Sequence, residues 1–542
     1  MDAPLYVPIA LAASVFSLWL IFKRYLTKSP LDNLPGPPPT SFLFGHLPDI
    51  SHRQSWREWE FIVDAYGPVT KLQGLLGLRV LHVADPKALH SILIKDAEHF
   101  PKKVEPATDT QVLIGPGLMA TDGHQHRKQR KLVTPVFSVG HLRNMTHIIY
   151  GVTHKLQKVL ETRVSTKDGS VIDINGWMAR ATLEMLGQAG LGHSFDDFTE
   201  DSIDSYGEAL KMFFPVLARL PLLTVFVPKL SYVFPDWLIN KMLRLMPGRD
   251  IRRMLEISDA MTRRSFELIN DRKTALLQGD EVLAKQIGAG KDIMSLLLKA
   301  NMTTSEAERH TDAELVAQMS TMLLGGMDTT ANALSRILHV LSQKPDVQER
   351  LRAEIVEARA DDDLAYDDIV KLPYLEAVCR ETMRLYPPAE FVVRTARKDT
   401  TIPLFEPVRA RDGSLMTEVP VPKDTMILGH LWGCNTNKAV WGDDAYEFKP
   451  ERWLGELPKA LDEARVPGVY SNLMTFSGGG RSCIGFKLSQ VEMKIVLSVL
   501  LSAFKFDMSD KPITWNSSIV VYPTTGDVNT HPEMFLKLTK IA

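Results

Sequence analysis

Cysteine is scarce in this chain: Cys379, Cys434 and Cys483 are all that 542 residues contain. Three thiols build no disulfide framework, point to a reducing compartment, and exclude zinc clusters of the paired-cysteine kind. Excess charge is missing as well. The 63 basic residues nearly balance 65 acidic ones for a net charge of −2, which argues against a nucleic-acid partner. No long low-complexity linker divides the chain. Length alone allows roughly two to four domains, but without a divider the reading is one large domain behind an N-terminal appendage. At 45 % hydrophobic and 24 % charged residues, the composition is that of a globular protein with ample material for a buried core.

Charged residues are absent from Ala3 to Phe22, a run carrying Leu5, Val7, Ile9, Leu11, Val15, Phe16, Leu18, Trp19, Leu20 and Ile21. That is the length that spans ~30 Å of hydrocarbon, so one transmembrane helix is expected. A cleaved signal peptide would place positive charge ahead of the run. Here Asp2 precedes it, while Lys23, Arg24 and Lys28 follow, and the basic flank keeps the body in the cytosol. Residues 1–28 are therefore read as anchor and flank. Leu34-Pro35-Gly36-Pro37-Pro38-Pro39 suits neither helix nor central strand, and residues 29–45 are read as a stiff hinge before a body of 46–542. From Val69 to Val83 apolar and polar residues alternate around glycines, as hairpin strands do.

The lone cysteine of Phe476-Ser477-Gly478-Gly479-Gly480-Arg481-Ser482-Cys483-Ile484-Gly485 has an unusual setting. Consecutive glycines permit positive φ and close approach to a bulky group, Arg481 brings positive charge, and an amphipathic run from Phe486 to Leu501 places Cys483 just before a helix N-terminus. These features favour a metal-ligating thiolate over an inert buried cysteine. A phosphate loop fails on spacing, because Phe486 stands where Lys is needed and no Ser or Thr follows Lys487.

Two further helices carry chemistry. Thr311-Asp312-Ala313-Glu314 fits a capping box that opens a long helix running to about Gln343, before Pro345. Its middle, Gly325-Gly326-Met327-Asp328-Thr329-Thr330, collects poor helix formers, which permits a bulge, a planar ligand against the helix, and a Thr hydroxyl bonded to the preceding turn. A second helix from Tyr374 is closed by Pro387-Pro388 and sets Glu381 three residues before Arg384 on one face. Gly123 to Lys131 is a basic helical stretch in which His126 and Arg130 share a face. Phe213-Phe214-Pro215 and Leu220 to Leu230, interrupted by Pro221 and Pro228, are too apolar for a solvated loop: core packing is one reading, a loop dipping into a membrane interface the other.

The pattern Phe476, Gly479, Arg481, Cys483, Gly485 resembles the heme-binding signature of the cytochrome P-450 superfamily, and the remaining motifs follow in that superfamily's order. The resemblance implies a mostly α-helical fold with small β-sheets, a single large heme domain, and one heme b with Cys483 as its axial thiolate. It implies that Phe476, Arg481, Arg130, His126 and Arg394 contact the cofactor, His126 standing where members commonly carry Trp. It makes Thr329 the hydroxyl and Asp328 the acid that together feed protons to dioxygen, and it makes Glu381, Arg384 and Arg452 an internal ion-pair network. The implied reaction inserts one oxygen atom of dioxygen into a lipophilic substrate. Electrons come from NADPH through a membrane-bound NADPH-cytochrome reductase, with a cytochrome b-type protein as the alternative donor.

Arg127, Lys128, Lys131 and Lys487 are candidates for the reductase docking patch. Phe213, Phe214, Met322, Met327, Phe391, Val392 and Val521 are the pocket positions by resemblance, and Glu390 is placed to meet a hydroxyl or an amine. Like microsomal members, the protein is expected as a single-pass protein of the endoplasmic reticulum membrane with its catalytic domain in the cytosol. Two rival readings are an isomerase or dehydratase on the same fold, which takes no electrons, and a membrane-tethered heme protein without turnover.

Overall fold

The alternating stretch from Val69 folds as the hairpin its pattern predicts. In this computed structural model, which describes residues 19, 23–102, 108–165, 168–199, 205–278, 292–359 and 362–541, β1 (Val69–Gln73) and β2 (Arg79–Val83) pair antiparallel with Val69 opposite Val83. Numbered along the chain, the other strands are β3 (Ser170–Asp173), β4 (Phe391–Thr395), β5 (Thr400–Arg409), β6 (Leu415–Val421), β7 (Met426–His430), β8 (Gly468–Tyr470), β9 (Leu473–Gly478), β10 (Phe504–Met508), β11 (Ile513–Asn516), β12 (Tyr522–Thr525) and β13 (Phe535–Lys540). The helices used below are α1 (Trp56–Tyr66), α2 (Gly123–Val133), α3 (Ile174–Met185), α4 (Ser205–Ala218), α5 (Pro221–Leu230), α6 (Asp236–Leu245), α7 (Asp312–Gln343), α8 (Pro373–Leu385) and α9 (Phe486–Ala503). The fold is mostly helical with small sheets, as the resemblance implies.

The expected single body divides into two compact units. The first comprises Met1–Lys102, Phe391–Ala445 and Pro458–Gly480. It holds a four-stranded sheet in the order β1-β2-β7-β4, in which only β2 and β7 run parallel, together with the two-stranded ribbons β5-β6 and β8-β9. Helix α1 buries Trp59 and Ile62 against Leu72 and Val80 of this sheet. Trp59, Phe391 and two histidines extend that core: Phe391 stacks on His430 at 4.4 Å, and His82 Nε2 lies 2.9 Å from His430 Nδ1. Burial pushes His82 down to about 3 and His430 well below its usual range, so both rings stay neutral members of an interior hydrogen-bond chain.

The hinge reading of residues 29–45 is corrected here. Leu31 and Leu34 are buried, the Lys71 amide donates to the Pro35 carbonyl at 2.9 Å, and Asp32 receives Arg79 at 2.9 Å. A segment unable to join a sheet has instead been laid against one. The apolar run 3–22 lies outside the described residues except for Trp19. Among the described residues no single helix is long and apolar enough to cross a membrane.

The second unit comprises Lys103–Glu390, Tyr446–Leu457 and Arg481–Ala542. Its axis is α7. The capping box is present as predicted: the Thr311 amide donates to Glu314 Oε2 at 2.8 Å and the Glu314 amide to Thr311 Oγ1 at 3.3 Å. At ~1.5 Å per residue, its 32 residues extend for ~48 Å. Leu323, Leu324, Leu334 and Ile337 of α7 and Leu497 and Leu500 of α9 share one buried core. The bulge allowed at Gly325-Gly326 does not occur, and the helix is continuous there. Gly326 serves close packing instead, since a Cβ on it would stand 2.9 Å from Leu186 Cδ2.

The apolar stretch beyond Phe213 is also helical. The break expected at Pro221 is present, α4 ending at Ala218 and α5 starting at Pro221 itself, where a missing N–H costs nothing, whereas Pro228, also expected to interrupt the run, lies inside α5. Helices α4 and α5 meet at 86°. Helix α4 is buried along most of its length, whereas α5, α6 and the turn between them expose Leu222, Phe226, Tyr232, Val233, Trp237 and Leu245.

Candidate active site

The cysteine loop is built by a strand that ends in a forced turn. Gly479 has φ +69°, and a Cβ there would stand 2.0 Å from the Leu93 carbonyl oxygen, so no other residue fits. A short 3-10 turn, Gly479–Arg481, follows, and α9 begins at Phe486 with Gly485 as N-cap. Cys483 thus precedes the helix as predicted. Arg481, the cation expected beside the sulfur, is engaged elsewhere, donating to the Thr121 carbonyl at 2.6 Å and to Asp122 Oδ1 at 2.7 Å. The charge that acts on the thiol is that of Arg130.

Burial pushes the Cys483 thiol up, while the Gly485 N–H and Arg130 pull it down, leaving it above the ordinary thiol value. The residue nevertheless has accessible surface. Cys379 and Cys434 differ: both are fully enclosed, and burial pushes Cys379 to about 12 and Cys434 higher still. Neither offers a thiolate.

Arg130 reaches this loop from α2. Its Nη1 donates to the Ser482 carbonyl at 2.7 Å and its Nη2 to Ser482 Oγ at 3.2 Å. His126, one turn earlier on α2, is buried. Phe476 on β9, set edge-on against Tyr470 at 5.6 Å, and Arg394 on β4, buried and donating to the Val393 carbonyl at 2.8 Å, belong to the first unit.

On α7 one face is polar and partly open. Residues three and four apart align on a helix, which puts Thr321, Gly325, Asp328, Thr329 and Asn332 together. Among the described residues, and apart from the adjoining helix backbone, nothing lies within 4 Å of where a Cβ on Gly325 would be. Thr329 Oγ1 donates to the Gly325 carbonyl at 2.7 Å, the back-bond anticipated for this threonine. Asp328 is buried; Asn332 Nδ2 donates to its Oδ1 at 3.0 Å, and its Oδ2 has no hydrogen-bond partner among the described residues. Burial raises this carboxyl to about 7, against the opposing pull of Lys211 and Asn332. It therefore exchanges a proton near neutral pH, which an ordinary aspartate does not.

The expected pocket residues divide. Met322 is partly buried on the open side of α7. Met327 is corrected: it is 0 % exposed, and its carbonyl accepts from Thr182 Oγ1 of α3 at 3.1 Å. Two residues past Gly325 is roughly 200° around the helix, so Met327 faces the core. Phe213 and Phe214 form an edge-to-face pair in the core at 5.3 Å. Phe391 packs on Trp59 and His430, and Val392 follows it on β4 in the first unit. The Val521 amide donates to the Pro388 carbonyl at 2.8 Å. Glu390 accepts from Ser517 Oγ at 3.2 Å, and burial raises it to about 7.

Glu381 is the centre of an interior network. Arg384 grips it through two donors at 2.9 and 2.8 Å, the Lys449 amide donates at 3.0 Å, and Arg452 Nε lies 3.5 Å away. Trp453 Nε1 adds a donor at 2.9 Å that sequence reasoning missed, although it is the residue next to Arg452. The side chains of Glu381 and Arg384 are 0 % exposed, which excludes a surface pair. The Thr330 hydroxyl donates to Ser489 Oγ of α9 at 3.2 Å, a contact between helices that the sequence did not reveal.

The arrangement matches known proteins along nearly its whole length. The family model described as Cytochrome P-450 matches residues 35–529. A ganoderic acid synthetase from Ganoderma lucidum is 57 % identical over 542 residues, covering 99 % of each chain. Two proteins from Postia placenta, cytochrome P-450 monooxygenases 91 and 81, are 46 % and 47 % identical and cover 97 % and 98 % of this chain and 97 % of their own.

Proposed function

The chain belongs to the cytochrome P-450 family and is a heme-thiolate monooxygenase, and from that premise we propose which of its residues carry the reaction. The residues fit a heme: Cys483 is the one cysteine with accessible surface and a cation drawing its thiol down, and Gly325 leaves an open helix face where any side chain would intrude. Cys483 would hold the heme iron through its thiolate, and its accessible, cation-assisted sulfur is the observation that carries the assignment. When bound, the heme activates dioxygen and passes one of its oxygen atoms to the substrate.

What the protein contributes is placement and protons. Thr329 holds a hydroxyl over the open face at Gly325, and Asp328, able to exchange a proton near neutral pH, supplies that hydroxyl from the side sealed against bulk water. Met322 borders this face with an apolar chain suited to a lipophilic substrate. His126 and Arg130 are assigned to the heme carboxylates, which charged donors hold most firmly. The name of the 57 % identical relative, a ganoderic acid synthetase, supports a substrate related to the one from which that protein makes ganoderic acid.

The redox partner is assigned as an NADPH-cytochrome reductase of the endoplasmic reticulum, with exposed Arg127 and Lys131 of α2 as docking residues. Membrane attachment is assigned to the apolar run before Lys23. The basic flank Lys23, Arg24 and Lys28 supports a cytosolic catalytic body, and exposed Phe226, Val233, Trp237 and Leu245 support a second contact with lipid.

Replacing Cys483 tests the site. The Cys483→Ser protein should lose the thiolate-type Soret shift of the reduced carbon monoxide complex while the unmodified protein shows it. An unchanged shift would assign the iron to another residue. Consumption of NADPH in the presence of reductase, with oxygenated product, separates this reading from an isomerase and from a heme protein without turnover.

A further inference from the structure

Two turns beyond Thr329, the same face of α7 carries a cation. Arg336 follows Thr329 by seven residues, which brings a helix back to nearly the same face and sets the two residues ~10 Å apart along the axis. Its guanidinium is clamped between rings: Cζ lies 3.6 Å from the centroid of Trp515 on β11 and 4.4 Å from that of Tyr386 at the end of α8. Trp515 is held in turn by its Nε1, which donates to His339 Nδ1 at 3.0 Å. An arginine stacked on aromatic faces keeps its N–H donors in one plane, at the edge of the stack. No hydrogen bond or ion pair engages those donors with another described residue, although the side chain is half-buried. Glu390, four residues past Tyr386, belongs to the same site. Its Oε2 accepts at 3.2 Å from the hydroxyl of Ser517, two residues past Trp515, and the charges of Arg336 and Glu390 act on each other. Cation and anion thus share a small site without closing an ion pair, and both keep hydrogen-bonding capacity in reserve.

We propose that Arg336 and Glu390 form a subsite for a hydroxyl group of the substrate, remote from the carbon that reacts; the inference rests on the reading of the open face at Gly325 and Thr329 as the place of oxygenation. The pair selects by charge. A carboxylate would suit Arg336 but meet Glu390, and an ammonium group would suit Glu390 but meet Arg336. A hydroxyl satisfies both, accepting from the guanidinium and donating to the carboxylate. The substrate class is therefore a lipophilic alcohol whose hydroxyl lies ~10 Å from the carbon that is oxidised, the rise of α7 between Thr329 and Arg336. An analogue that cannot donate leaves the carboxylate without its partner, the circumstance in which a polar site discriminates most sharply. Arg336 and Glu390 determine specificity and do not touch the reacting atoms.

The test uses the full-length, heme-loaded protein and equilibrium dialysis with dodecanol, cyclododecanol and cholesterol, each against its own methyl ether. At least one alcohol should bind about tenfold or more tightly than its ether, whose oxygen accepts but cannot donate. Arg336→Met and Glu390→Met should each cut that preference to about twofold or less, by weakening the alcohol. Binding of the ether should hold or improve, whereas a merely structural role would weaken both ligands together. The double variant Arg336→Met/Glu390→Met leaves neither charge without its partner, which guards against a failure to fold, and it should bind alcohol and ether alike. Oxygenation of the preferred alcohol should also spread over more carbon atoms in that variant, because nothing then fixes the far end of the substrate.

Equal affinity for alcohol and ether across the panel in the unmodified protein, or a preference left intact in the double variant, would overturn the subsite. A preference for the alcohol together with unchanged product per NADPH in Thr329→Ala would sustain the subsite and overturn the placing of oxygenation at that threonine, which keeps the two failures apart.

Discussion

Thr329 spends its only proton on the Gly325 carbonyl, at 2.7 Å. The bond fixes the hydroxyl oxygen toward the open face and leaves its lone pairs free to accept a proton donor. Removing it should not prevent heme reduction, because that step needs no proton. Thr329→Ala is expected to keep consuming NADPH while releasing more hydrogen peroxide and less oxygenated product per electron pair, measured by parallel peroxide and product assays. An unchanged yield would move the hydroxyl's role to Thr330. The carboxyl one residue earlier adds a pH dependence with a definite sign. Asp328 in the folded protein titrates at about 7, so its proton-donating form predominates below that pH and is lost above it. Coupling of NADPH to product should decline as pH rises through about 7, and the decline should vanish in Asp328→Asn, whose turnover is slow throughout by about 10²–10⁴-fold.

Which residues were legible at this scale follows from whether local order determines the contact. Thr329 and Asp328 were legible because a helix keeps neighbours in register. Met327 was misplaced because a match to a motif ignores the roughly 100° that each helical residue turns. Arg481 was credited with an effect belonging to Arg130, since two residues of separation say nothing about where a long side chain ends.

Among the elements, α8 and the 3-10 turn that carries Arg452 depend on each other through one carboxylate. Glu381 accepts from five donors contributed by Arg384, Lys449, Arg452 and Trp453. Removing the acid leaves two arginines facing an uncompensated interior, and breaking such a buried pair costs roughly 3–5 kcal/mol. Glu381→Ala is expected to yield little heme-loaded protein, judged by the ratio of heme absorbance to total protein. Normal heme content with lost turnover would place the residue in the chemistry instead.

Element boundaries were read well where a cap announces them, as at Thr311 and Glu314, and where proline stops a helix, as after Leu385. They were read well at Pro221, which opens α5, and badly at Pro228, which lies inside that helix without ending it. The interior course of α7 was also misjudged: Gly326 looked like a site of distortion, but what it provides is room for Leu186.

For the molecule as a whole, the consequential misreading was that of residues 29–45. Prolines and a glycine in sequence describe what a segment refuses to form, and they are silent on what it packs against. Leu31 and Leu34 are buried in the first unit and Asp32 is paired with Arg79. Removing residues 1–28 should therefore leave a heme-loaded catalytic protein that still binds lipid vesicles through Phe226, Val233 and Trp237. Extending the deletion past Leu34 removes two buried leucines, each worth about 2–5 kcal/mol, and should sharply lower the melting temperature and the yield of heme-loaded protein. Equal stability of the two truncations would show that the segment is a mere spacer.

The same packing decides how much slack the protein has. The Thr27 carbonyl already accepts from Arg79 at 2.6 Å, and Tyr25 stacks on Phe42 at 4.6 Å, so the chain is fastened almost as soon as its basic flank begins. With the proposed anchor ending at Phe22, only two or three residues remain unfastened, a reach of about 10 Å at most. A protein moored on so short a line does not wander over the bilayer like a buoy. With that proposed anchor in a bilayer, the first unit would present one fixed side to the lipid, and a diffusing redox partner would meet that unit at one height and one heading.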